Sequence, residues 1–155
     1  MNIQELISIL ENEYEVYQDM RDLALKKKDI LIEGNVNELD NIVSAEQACI
    51  AAISKLENKR EQWLKDNSIS GMEDIQVLLE NSNEKEKLTE LQDRFRQLLQ
   101  EVTEINEHNQ ALIEQALEYV EFSINLIGDA LTFNDATYEK KGMDKKSSSI
   151  FDEKI

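Results

Sequence analysis

A single histidine, His108, and a single cysteine, Cys49, bound the chemistry open to this chain. Acid–base, nucleophilic or metal chemistry needs several such groups converging on one point. His108 lies beside Asn109 in one helical pattern, and Cys49 lies in another. Zinc and di-metal carboxylate bundles need several ligating residues, the latter as paired Glu-x-x-His motifs, and the chain has none. Gly128 and Gly142 have no strand beside them, so no phosphate-cradling loop is present. No Ser or Cys stands near a base. These patterns argue against an enzyme, including a metal-dependent helical one, and no cofactor or metal is expected. His108 reads as a solvated helix residue, and Cys49 as a small core residue.

Glu46 and Arg60 interrupt the apolar stripe of the second helical pattern, and Asn106 and Asn109 make a polar step in the third. Such residues fix the register of packed helices at some cost in stability. Glu46 and Arg60 read as a structural ion-pair layer with Arg21 and Glu13. Asn106 and Asn109 read first as register residues, and second as hydrogen-bonding groups for a partner backbone.

The elements that carry these residues follow from periodicity. Apolar steps of three and four predict helices over about 2–32, 36–65 and 84–131, with a short helix over 72–80. The first seam includes Ile3, Ile7, Leu10, Tyr14, Tyr17, Arg21 and Ala24, and the second Leu39, Ile42, Glu46, Cys49, Ile53, Leu56, Arg60 and Trp63. Glu33-Gly34-Asn35 separates them, with Gly34 suited to a left-handed helix end and Asn35 to a cap. So short a connection forces an antiparallel hairpin, in which paired residue numbers should total about 67 to 70. That sets Arg21 near Glu46, and Arg60 near Leu10 and Glu13. Ile75, Leu78 and Leu79 should face inward from the short helix, with Trp63 packed against it. Asn83 and Glu86 have the spacing of a capping box.

Composition agrees with an all-α chain. Its 155 residues contain no Pro and four Gly, both costly inside helices, and only 6% aromatics against 32% charged. The fold class expected is an elongated antiparallel hairpin plus a long third helix, over residues 1–133, with a mobile polar tail from 134 to 155. The net charge of −16 disfavours nucleic acid and anionic membranes as partners. Residues 138–155 alone sum to +1, with five lysines against four acids, which leaves −17 on the rest. With one cysteine, no leader pattern and no run of membrane-spanning length, a reduced, cytoplasmic protein without membrane insertion is expected.

The third helix carries the strongest signal. From Leu88 to Phe133 one stripe persists, and it broadens toward its end with Leu117, Val120, Phe122, Ile124 and Ile127. At 1.5 Å per residue this helix should be about 70 Å long, and each hairpin arm roughly two-thirds of that. One end should therefore project with its apolar side chains uncovered, the usual mark of a partner surface. The residues expected to bind a partner are Leu112, Ile113, Ala116, Leu117, Val120, Ile124, Leu126, Ile127 and Leu131. Coverage by the connector, or pairing with a second copy as a homodimeric scaffold or stalk component, stays open. Tyr138 lies in a polar stretch of the tail with nothing local to pack on, an aromatic suited to docking.

Several residues in order resemble one family. They are Leu23-Ala24-Leu25-Lys26-Lys27-Lys28, Gly34-Asn35 with Leu39, Glu46, Leu56-Glu57 and Arg60, then Asn106, Asn109 and Leu112-Ile113, then Tyr138 and Gly142. Together they resemble the FlgN family of flagellar type III export chaperones. The resemblance implies a cytosolic chaperone for the hook–filament junction proteins FlgK and FlgL. Its C-terminal helical region would hold the client's C-terminal helical segment, and a tail tyrosine, matched by Tyr138, would dock on the export gate protein FlhA.

Overall fold

The structure, a computed structural model, describes residues 1–79 and 82–134, the last four by their backbone alone. The described residues form four helices: α1 (Ile3–Glu33), α2 (Val36–Asp66), α3 (Met72–Leu78) and α4 (Asn83–Asn134). No strand occurs among them. The expected helices are all present, each with ends within three residues of the sequence reading, and α4 continues through Gly128 without a break. The tail from 135 onward, with Tyr138, lies outside the described residues. The chain divides into two compact units, Met1–Asn109 and Gln110–Ile155, and α4 runs through both.

In the first unit, α1 and α2 form the antiparallel hairpin. Gly34 takes φ +73°, the left-handed conformation in which a Cβ would crowd the following carbonyl, and glycine has no Cβ. The Gly34 and Asn35 N–H groups both donate to the Ile30 carbonyl, at 2.9 and 3.2 Å. The Asn35 side chain then accepts from the Glu38 N–H at 3.3 Å, which starts α2.

α2 ends on the same device built without glycine. Ser68 takes φ 55°, its N–H donates to the Lys65 carbonyl, and the Ile69 N–H donates to the Leu64 carbonyl, each at 3.0 Å. This is the Schellman pattern, and Leu64 and Ile69 both pack on the core beside it. α4 starts differently from its expected capping box. Ser82 Oγ accepts from the Lys85 N–H at 3.4 Å, so the cap sits one residue before Asn83.

One cluster draws on all four helices: Ile3, Leu6, Ile7 and Leu10 from α1, Trp63 from α2, Ile75 from α3, Leu79 just after it, and Leu88 and Leu91 from α4. Leu6 and Ile75 are fully buried, and burial of each is worth about 1.5–3 kcal/mol. Trp63 packs beside the connector as the sequence suggests. Leu78, expected to face inward, is exposed. The short helix buries Ile75 and, four residues on, Leu79, and that spacing turns Leu78 outward.

α4 lies parallel to α1 within this unit. Gln4 Nε2 donates to Glu84 Oε1 at 3.2 Å, a separation of 80 residues, and Asn109 Nδ2 donates to the Ala24 carbonyl at 2.9 Å, a separation of 85. Between them, Phe95 meets Tyr14 and Tyr17 edge to face at 5.4 and 5.8 Å. Arg94 stacks its guanidinium over the Tyr14 ring at 4.6 Å.

The ion-pair layer is only half as expected. Arg60 Nη1 does meet Glu13 Oε2, at 2.6 Å. Glu46, however, is paired with Lys27 at 3.2 Å, while Arg21 reaches its neighbour Asp22 and Glu101 of α4. The hairpin register brings a residue nearer the Gly34 turn opposite Glu46, by about one and a half helical turns. Arg21 sits on the face that α4 covers.

Candidate functional site

The second unit is described from Gln110 to the end of α4, and its sequence explains its helix. Between 110 and 134 there is no Pro and one Gly, and the rest are compatible with helix. Gly128 costs about 1 kcal/mol relative to Ala in such a position, and the helix carries it. Ser123 Oγ donates back to the Tyr119 carbonyl at 2.8 Å, so this hydroxyl is already satisfied along the helix.

The nine residues expected to bind a partner separate by exposure. Leu112, Ile113, Leu117, Val120 and Ile124 are half-buried, whereas Ala116, Leu126 and Ile127 are exposed. The side chain of Leu131 lies outside the described residues. Two more apolar residues join the exposed set: Tyr119 is 72% and Phe122 61% exposed, beside Leu126 at 54% and Ile127 at 62%. Tyr119, Phe122 and Leu126 follow one another by three and four residues, so they line one stripe of the helix. The 3-4 spacing was the signal that could have added both aromatics to the nine. Large apolar side chains exposed in a row on a helix offer one surface to a second helix.

The other polar candidates are accounted for within the first unit. Asn109 is buried and bonds to α1, which is a register contact, while Asn106 is exposed. Among the described residues, Asn109 Oδ1 has no hydrogen-bond partner. His108 is exposed on the helix flank. Cys49 is half-buried, and burial pushes its thiol up from its ordinary range, with Asp19 and Glu46 adding to the shift. A thiol so placed is a poor nucleophile. Glu13 is 1% exposed, and its carboxyl is held above its ordinary range chiefly by burial, with Arg60 opposing and Glu57 adding. Burial also raises Tyr17 beside it, with Glu57 and Glu13 contributing and Arg60 opposing. Among the described residues, no group of three or more His, Cys, Asp or Glu gathers in a way that could hold a metal. No described helix is long and apolar enough to cross a membrane.

Comparison with known families decides what kind of molecule carries this stripe. The family model described as FlgN protein matches residues 1–146, nearly the whole length and both units. The chain belongs to the FlgN family. This is a family of flagellar export chaperones and not of enzymes. No curated protein and no solved structure matches the chain. In this FlgN-family chain, α4 turns the large apolar side chains of Tyr119, Phe122, Leu126 and Ile127 to solvent.

Proposed function

We propose that this chain is a cytoplasmic chaperone for the hook–filament junction proteins FlgK and FlgL, and that it delivers them to the export gate protein FlhA. The observation that carries the reading is the exposed stripe of Tyr119, Phe122, Leu126 and Ile127 on a helix of a flagellar export chaperone. The client's C-terminal helical segment lays its own apolar face on this stripe, with anchors spaced by three, four and seven residues. The half-buried residues Leu112, Ile113, Leu117, Val120 and Ile124 extend the apolar surface beside it. A client segment that becomes ordered on binding gives up part of the interaction energy, which leaves affinity moderate and release feasible. Tyr138, in the tail, serves the gate and not the client.

The test is to purify the chain with and without a co-expressed junction protein and weigh the product by light scattering. A monomer that becomes a one-to-one complex supports the chaperone. A stable homodimer indifferent to the junction protein contradicts it and favours a coiled-coil scaffold. Self-pairing is opposed by the charge of the helix: residues 110–134 hold four acids and no base.

A further inference from the structure

The charge pattern of the same helix specifies the partner more narrowly. Glu114, Glu118, Glu121 and Asp129 are all exposed, and their spacing of four, three and eight residues places them on one edge of the helix. Phe122 stands four residues after Glu118, so the acidic edge borders the exposed apolar stripe directly. No Lys or Arg occurs between 110 and 134. The acids therefore have no cation three or four residues away on the same stretch to pair with, and the neighbours Glu114, Glu118 and Glu121 repel one another. Glu114 accepts a hydrogen bond from Gln110 Nε2 at 3.1 Å, a neutral donor that leaves its charge in place. A second copy of this helix would bring the same acids and no base to the pairing.

We propose that the occupant of the Tyr119–Ile127 stripe is an amphipathic helix with Lys or Arg along one edge of its apolar face, and that Glu114, Glu118, Glu121 and Asp129 select it. This rests on the client-binding reading above and names the chemistry of the client. Residues flanking an apolar seam choose partner and orientation in paired helices through charge. With acids on one edge, the cationic edge of the partner fixes which way the partner helix lies as well as which partner is accepted.

The experiment uses the full chain and three designed 21-residue amphipathic helices with one apolar face in common. Their flanking positions are all Lys, all Gln or all Glu. Titration calorimetry at low salt should rank them Lys, Gln, Glu, with the Lys peptide about tenfold tighter than the Gln peptide. Because the whole chain is acidic, the deciding arm compares two variants of equal charge. In Glu114→Gln/Glu118→Gln/Glu121→Gln/Asp129→Asn the Lys preference should vanish. In Glu11→Gln/Glu15→Gln/Asp40→Asn/Glu61→Gln, exposed acids of α1 and α2, it should persist. Equal affinity for the three peptides, or a preference that both variants lose alike, overturns the charge selection and leaves the apolar docking surface standing. Loss of all peptide binding on Phe122→Asp/Leu126→Asp locates the probe on the stripe, and a Lys peptide that binds this variant unchanged overturns the proposal. Failure of a purified junction protein to bind the unaltered chain would instead overturn the client reading itself.

Discussion

Arg60 Nη1 sits 2.6 Å from Glu13 Oε2, and Glu13 Oε1, buried beside it, has no hydrogen-bond partner among the described residues. One oxygen of a buried carboxylate is thus paired and the other stranded. Burial outweighs the guanidinium and holds the carboxyl above its ordinary value of 4.5. Between that value and the raised one, the folded chain binds the proton more readily than the unfolded chain. The stabilisation from this group is therefore fully present below 4.5 and is lost as pH rises through the folded value. Glu13→Gln should melt with the unaltered chain below 4.5 and increasingly above it as pH rises, which thermal melts across the range will measure. Arg60→Met strands the whole carboxylate and should cost about 3 kcal/mol at neutral pH, with a smaller loss in acid.

Asn109 should behave as a register residue. The Ala24 carbonyl that it meets lies inside α1 and keeps its helical hydrogen bond without it. Asn109→Leu should therefore leave stability within about 1 kcal/mol. Asn109→Asp removes the donor, places a carboxylate against that carbonyl, and should cost about 3 kcal/mol or more. Denaturant unfolding of the pair checks this, and equal damage from both would show that packing volume, not polarity, matters there.

The two helix ends with left-handed residues make opposite predictions. Ser68→Gly relieves a strained φ of 55° and should stabilise by about 0.5–1 kcal/mol. Gly34→Ala places a Cβ at φ +73°, where nothing lies within 4 Å, so its cost of about 1 kcal/mol is backbone strain alone. Melting temperatures that move the same way for both would contradict this.

Tyr138→Ala should leave the binary complex with a junction protein intact and weaken docking to the gate protein. Pull-down of the preformed complex on the gate's cytoplasmic domain reads the second effect, and calorimetry the first. A variant that loses the junction protein would show that this tyrosine serves capture.

Much of the fold was legible because local chemistry and periodicity agree. The Gly34-Asn35 pair fixed the hairpin turn, and the 3-4 steps of Leu88, Leu91 and Leu98 identified residues that are buried. Arg60 and Glu13 were paired correctly, since a polar residue in an apolar seam needs a partner of opposite charge. Arg21 was misplaced because Lys and Arg both reach across a hairpin, and Lys27 lies in better register with Glu46. The left-handed turn at Ser68 is not legible in the sequence, since a non-glycine residue in that region leaves no compositional mark. In the site, periodicity located the apolar surface but did not rank its edges. Exposure separates Tyr119 and Phe122 from half-buried Leu117 and Val120, and that division depends on neighbours the repeat does not name.

The most direct measurement is calorimetric titration of a junction protein's C-terminal helical segment into the unaltered chain and into Phe122→Asp/Leu126→Asp/Ile127→Asp. These side chains are exposed, so the variant should keep its helical circular dichroism and melting temperature. Affinity should fall by about a hundredfold or more, the equivalent of about 3 kcal/mol of lost apolar contact. Unchanged affinity in a folded variant would mean that the client is held elsewhere and that the stripe is not its site.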